Sequence, residues 1–150
     1  PPPEPGPRRL PPLLRRAWYG LNQAFRRRVA HLGITPDQFS ILRWLTEGDR
    51  RGLTQREITE LMAADANTVA AILRRMEEAG LISRTVHEAD RRAHRVQVKA
   101  PGRRKFLAAQ QIAVELQEEV LSALPAAELA RFLEQLEVGA GACQDAVDGK

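Results

Sequence analysis

Apolar residues recur with helical spacing along most of this chain, and with the alternation of a strand in one short stretch. Leu14, Trp18, Leu21, Phe25 and Leu32 follow one another at intervals of four, three, four and seven. That spacing predicts a helix over 13–33 with one apolar stripe, closed by Gly33. Two helix starts come next. Thr35-Pro36-Asp37-Gln38 reads as a capping box with proline at the first helical position, and Ile34 and Phe39 are placed as a hydrophobic staple. Leu53-Thr54-Gln55-Arg56-Glu57-Ile58 repeats the scheme, with Thr54 as cap, Glu57 reaching back and Leu53 stapled to Ile58. This second helix is short, because Asp65 offers a new N-cap soon after Met62. From Asp65, residues Val69, Ile72, Leu73 and Met76 share a face, and Gly80 supplies the C-cap.

A short capped helix, a tight turn and a second amphipathic helix form a helix-turn-helix candidate. Strand patterns follow it. Residues 83–86 read as a strand, and Arg95-Val96-Gln97-Val98-Lys99 alternates with both valines facing one way. Between them, 87–93 is a hairpin tip crowded with charge. A long helix returns over 103–124, where Phe106, Ala113 and Val120 fall every seventh residue, as do Leu107, Val114 and Leu121. Pro125 opens a last helix striped by Leu129, Phe132, Leu133 and Leu136. The Gly- and Ala-rich segment 139–150 is expected to fray into a flexible tail. At the other end, seven of the ten prolines fall in 1–12, which is expected to be a loose arm.

Charge sharpens this layout. The chain of 150 residues carries a net +4. Residues 1–49 hold eight basic and four acidic side chains, 50–105 hold thirteen and seven, and 106–150 hold two and eight. A basic middle with an acidic end suits a polyanion-binding module whose C-terminus has another use. No apolar run approaches the roughly 18 residues of a membrane helix. One cysteine, Cys143, excludes an internal disulfide framework and fits a reduced cytoplasm. No signal-peptide pattern is visible, and the chain starts at Pro1 without a methionine.

The order of features over 53–102, LTQREITELMAADANTVAAILRRMEEAGLISRTVHEADRRAHRVQVKAPG, resembles the MarR family of winged helix-turn-helix transcription regulators. Glu78-Ala79-Gly80-Leu81-Ile82, followed at wing spacing by Asp90-Arg91-Arg92, carries the resemblance most specifically. It implies a mainly α fold: a winged helix-turn-helix DNA-binding domain over 34–102 with a two-stranded β-wing, and dimerisation helices over 13–33 and 103–138. It also implies a homodimer on a pseudo-palindromic operator in double-stranded DNA, acting as a repressor. The second helix of the motif is then the one that enters the major groove. Its outward positions include Asn67, Thr68, Ala70, Ala71 and Arg74, with Arg75 beside them. Asn67 suits an adenine edge, Thr68 a base, phosphate or thymine methyl, and Arg74 and Arg75 suit phosphates. Ala70 and Ala71 depart from the polar pairs of many relatives. They touch thymine methyls without donating hydrogen bonds, which shifts recognition toward DNA shape. On the wing, the resemblance gives Arg92 a minor-groove role beside Arg91 and gives Asp90 the shaping of the turn. Asp65 has two open roles, as an N-cap or as a partner for a wing arginine.

Enzyme chemistry finds little support. His31, His87 and His94 have no nucleophile motif near them, and the chain has no glycine-rich phosphate loop, His-Glu-x-x-His or nucleophile elbow. His87, Glu88, Asp90 and His94 fall short of a closed ligand set, so neither metal nor cofactor is expected. Thiol sensing in the family uses a cysteine near the start of the first helix, whereas Cys143 lies at the opposite end. Relatives bind small aromatic acids or phenols between the dimer helices and the winged domain. Trp18, Tyr19 and Trp44 could line such a cleft with Arg15 or Arg16 facing a carboxylate; equally, Trp18 and Trp44 could be core. The competing function is a winged-helix domain used for protein contacts.

Overall fold

A computed structural model describes residues 6–86 and 94–150. In chain order these form helix α1 (Leu10–Val29) with a 3-10 turn at Ala30–Leu32, α2 (Pro36–Glu47), strand β1 (Leu53–Thr54), α3 (Gln55–Met62), α4 (Ala66–Glu78), β2 (Ile82–Val86), β3 (His94–Val98), α5 (Ala100–Leu121), a 3-10 turn at Ala126–Glu128 and α6 (Leu129–Asp148). The chain divides into two compact units, Pro1–Ala113 and Val114–Lys150.

The capping chemistry read from the sequence operates with one variation. Thr35 Oγ1 accepts from the Gln38 amide at 3.2 Å while Gln38 Oε1 accepts from the Thr35 amide at 3.1 Å, a closed capping box. At α3, Thr54 Oγ1 accepts from the Glu57 amide at 3.1 Å, but Glu57 does not close the box on the backbone. Its carboxylate accepts a hydrogen bond from the Thr54 hydroxyl instead, at 3.0 Å. Thr54 is here also a strand residue, because β1 pairs with β3 (Leu53↔Val96, Thr54↔Arg95). The expected hairpin of β2 and β3 is present, running from Ile82↔Val98 to Val86↔His94. The third strand makes an antiparallel sheet of order β1-β3-β2. Two residues are too few to show a period, so β1 left no mark in the pattern.

Within the first unit the apolar stripes meet in one core. Val29 of α1, Ile41 and Leu42 of α2, Ile58 of α3, Val69, Leu73 and Met76 of α4 and Val96 of β3 are fully buried. Phe25, Phe39 and Phe106 bring α1, α2 and α5 together, with ring centroids 4.9 Å and 5.5 Å apart. The Arg43 guanidinium lies 4.7 Å from the Phe39 ring centre.

Both chain ends are more helical than composition suggests. Helix α1 starts at Leu10, inside the proline-rich stretch, because Pro11 and Pro12 fall in its first turn. Amides there have no intrahelical acceptor, so their absence costs nothing. Segment 139–150, expected to be a loose tail, continues α6 to Asp148. Its alanines favour helix, and Gln144 Nε2 donates to Asp148 Oδ1 one turn on at 3.3 Å. Gly149 closes the helix, its amide on the Asp145 carbonyl.

Candidate nucleic-acid interface

The short turn after α3 places α4 against it. Ala63 takes a left-handed conformation (φ 50°, ψ 40°) and ends α3. Asp65 then caps α4 with both carboxylate oxygens: Oδ1 accepts from the Thr68 amide at 2.9 Å and Oδ2 from the Thr68 hydroxyl at 2.6 Å. The Thr68 hydroxyl, followed by the Thr68 amide, holds the Asp65 carboxyl below its ordinary value. Of the two roles open for Asp65, the cap is therefore filled in the structure. The Thr68 hydroxyl hydrogen is thus engaged with Asp65, leaving its oxygen to accept and its methyl to make contact.

A helix turns about 100° per residue, so the core positions of α4 define its outer face. Val69, Leu73 and Met76 point inward. Asn67 and Arg74 are exposed on the opposite side, with Ala71 half-buried between them and Thr68 and Arg75 exposed on one flank. Ala70 is half-buried on the other flank, turned further toward the core than an outward position implies. Glu78 shares the outer side at the C-terminal end, where a carboxylate repels phosphate. Peptide dipoles are positive along the N-terminal part of the helix, an effect on a polyanion that the ionised Asp65 cap offsets. Gly80 (φ +76°) stops the helix, with the Gly80 amide on Glu77 O and the Leu81 amide on Met76 O, each at 3.0 Å.

The sheet is fixed to this helix by an ion pair. Arg84 of β2 reaches back to Glu77 with two bonds, at 3.1 Å and 3.2 Å. A second anchorage joins β3 to the turn before β1: Arg95 Nη1 donates to Gly52 O at 3.0 Å, and Gln97 Nε2 donates to the carbonyls of Arg50 and Arg51, both at 3.3 Å. Arg51 also grips Asp49 at 3.0 Å, while Arg50 is exposed. Sequence reading passed over this turn; its signal was the pair Gly48 and Gly52 bracketing a basic dipeptide beside Asp49. Asp90, Arg91 and Arg92, with His87 and Glu88, lie outside the described residues.

The five aromatic-ligand candidates are not gathered in one place. Arg15, Arg16 and Tyr19, with Pro11 and Pro12, line an open concavity of about 490 Å³ on α1. Trp18 is 68% exposed, so it is not core within this chain. Trp44 on α2 is half-buried and does not line that concavity. Among the described residues, no three His, Cys, Asp or Glu side chains form a metal-holding group. No helix among them is long and apolar enough to cross a membrane.

Known proteins share this arrangement. A model described as the MarR family matches residues 32–93, from the 3-10 turn after α1 to the edge of β3. Transcriptional regulator HosA of Escherichia coli is 30% identical over 127 residues, covering 81% of this chain and 93% of HosA. The chain belongs to the MarR family. It is a MarR-type transcriptional regulator, and solved MarR structures share its architecture. The S. aureus MepR–DNA complex superposes with a TM-score of 0.79 at 25% identity, over 87% of this chain and 95% of that one. CouR from Rhodococcus jostii RHA1, bound to p-coumaroyl-CoA, does so with a TM-score of 0.72 at 22% identity, over 83% and 87%. The match ends at residue 93, so α5 and α6 rest on the full-length relatives and the structural likeness.

Proposed function

We propose that this regulator is a homodimeric, non-enzymatic repressor that reads a pseudo-palindromic operator with α4 and is released by a small aromatic ligand. The observation that carries the DNA reading is the outer face of α4. Asn67 and Arg74 are exposed, with the half-buried Ala71 between them, on the side of the helix opposite the core. Asn67 addresses a base edge, Arg74 and Arg75 hold phosphates, and Ala70, Ala71 and the Thr68 methyl accommodate thymine. Arg92, beside Arg91, is the residue assigned to the minor groove, and Asp90 the one assigned to shaping the wing turn. MepR, whose structure with DNA resembles this one, supports the same use of the fold.

Dimerisation is supported by apolar surface that the single chain leaves uncovered. Leu10, Leu13, Leu14, Trp18 and Leu21 of α1 are exposed, as are Phe132, Leu133 and Leu136 of α6. Contiguous stripes of this kind mark interaction surfaces. Two reading heads related by a two-fold axis then call for half-sites about one DNA turn apart. Repression follows where such a site overlaps a promoter and the bound dimer blocks polymerase. Selection of bound sequences from random duplexes tests this reading. Paired half-sites about 10 base pairs apart support it; one asymmetric half-site, or weak binding to any duplex, points to a protein-contact domain.

The ligand reading rests on the α1 concavity, where Arg15 and Arg16 supply positive charge beside the Tyr19 ring and Trp18 stands exposed nearby. CouR takes an aromatic acyl thioester, which supports an aromatic acid or phenol as the ligand class. The ligand must favour the DNA-incompetent arrangement, since equal affinity for both shifts nothing. Tryptophan fluorescence titrated with benzoates, cinnamates and phenols, with and without operator, tests it. Trp18 and Trp44 report together, and a Trp44→Phe variant isolates Trp18. No change at millimolar concentration refutes the ligand.

A further inference from the structure

The run Arg103-Arg104-Lys105 offers three cations that sequence alone cannot tell apart. The structure separates them. Arg103 and Arg104 are exposed, whereas Lys105 is half-buried, and its Nζ donates to the backbone carbonyl of Leu32, 73 residues earlier. Leu32 ends the 3-10 turn that follows α1, and carbonyls at a helix end lack intrahelical donors. An ammonium there also meets the negative end of the peptide dipoles. Gly33 (φ +71°) follows, and a Cβ at that position would lie 3.3 Å from Nζ. The next residue, Phe106, stacks on Phe39, which meets Phe25 of α1. The joint between α1, α2 and α5 therefore has two parts. An aromatic cluster supplies bulk, and one directional, charge-assisted bond ties the end of α1 to the start of α5.

We propose that Lys105 is a positioning residue for DNA binding. Its bond to Leu32 fixes α5 against the end of α1, and so sets the distance between the two α4 helices of a dimer. Apolar burial is non-directional, but a bond from an ammonium to one carbonyl loses strength steeply with misalignment. The inference rests on the dimeric operator reading above. It gives that reading a determinant of half-site spacing that lies off the DNA face.

The test compares wild type with Lys105→Met, which keeps the apolar stem and removes the charge, and with Lys105→Arg, which restores a donor. Circular dichroism and sedimentation check fold and assembly. Affinities are then measured for a duplex with one half-site and for operators whose half-sites are separated in single-base-pair steps. Lys105→Met is expected to bind the single half-site within about twofold of wild type. It should lose about tenfold on the best-spaced operator, the size of effect one charge-assisted bond commonly carries, and show a flatter spacing profile. Lys105→Arg should recover most of the sharpness. Gly33→Ala, which crowds the ammonium while keeping the lysine, should flatten the profile too, and serves if the methionine variant does not fold. Equal losses on single and paired sites, or an unchanged profile, reduce Lys105 to a local cap and overturn the inference. A wild type with no spacing preference overturns the operator reading itself. A sharp wild-type preference that no variant moves overturns the lysine's role alone.

Discussion

Gly52→Ala should damage this protein far more than Gly80→Ala, although both glycines have left-handed backbones. At Gly80 (φ +76°) a Cβ meets nothing within 4 Å, so the cost is conformational, about 1–2 kcal/mol. At Gly52 (φ +83°) the same strain applies, and the Cβ would lie 2.0 Å from the Val96 carbonyl oxygen and 2.9 Å from Gln97 Cγ. Relief needs a backbone shift of more than an ångström, on the order of the carbon–oxygen contact deficit. That shift breaks the Leu53↔Val96 pairing and pulls the turn from the Arg95 and Gln97 side chains. Forced overpacking costs about 1–3 kcal/mol, so the total is roughly 2–5 kcal/mol. For a chain of this size that lowers the melting temperature by on the order of 5–20 °C. Urea and thermal denaturation at one fixed protein concentration measure both variants, since assembly shifts apparent stability. A Gly52→Ala loss no larger than that of Gly80→Ala would refute the close approach of this turn to β3.

Four further outcomes are expected. Arg74→Ala should lower the slope of log affinity against log salt by about 0.9 with half-site preference unchanged, whereas Asn67→Ala should relax preference at one base pair; salt titrations and a mismatch panel separate them. Arg92→Ala should likewise flatten the salt dependence while Arg131→Ala on α6 does not, and equal losses with intact folding would discredit the wing assignment. Ala63→Gly removes left-handed strain at the turn (φ 50°) and adds freedom to the unfolded chain, for a net gain of about 0.5 kcal/mol; a net loss by denaturation would contradict the strain. Asp65, whose carboxyl is held below its ordinary 3.8 by Thr68, stabilises α4 fully above that value and loses its contribution as pH falls through the lowered one. Asp65→Asn should flatten the acid limb of the stability curve below about pH 4.

Legibility in the sequence followed the range of each interaction. Both N-caps at Thr35 and Thr54, the Asp65 cap and the stop at Gly80 are contacts within a few residues, so spacing alone revealed them. The core face of α4 was equally plain from Val69, Leu73 and Met76. What escaped was long-range or too short to have a period. Strand β1 exists because β3 arrives beside it, and the turn at 49–52 is held by Arg95 and Gln97 from 43 to 47 residues away. The helical course of 139–148 was hidden by its glycines, which read as loop until alanines and a closing cap are weighed together. The outward face of α4 was legible, but the hydrogen bond from the Thr68 hydroxyl to Asp65 depends on a rotamer that spacing does not encode.

The basic excess of 50–105, which first suggested a polyanion partner, overstates the charge this unit offers to DNA. Arg95 is tied to a carbonyl, Lys105 to another, and Arg84 to Glu77 by two bonds with its side chain 24% exposed. Turning any of these toward a phosphate would break a structural bond, so they are poor candidates for exchange with DNA. Arg51 and Arg56 differ. They pair with Asp49 and Glu60, but their side chains are 80% and 90% exposed, and exposed pairs are worth about 1 kcal/mol or less. A phosphate could displace either carboxylate at small cost. Together with the exposed Arg74 and Arg75 of α4, they are, on the proposed reading, the candidates for phosphate contacts. Neighbouring carboxylates at Glu60, Glu77 and Glu78 oppose the field of those arginines. If the proposed dimer forms, a single reading head is expected to bind weakly, and joining two heads lets the second contact form at high effective concentration.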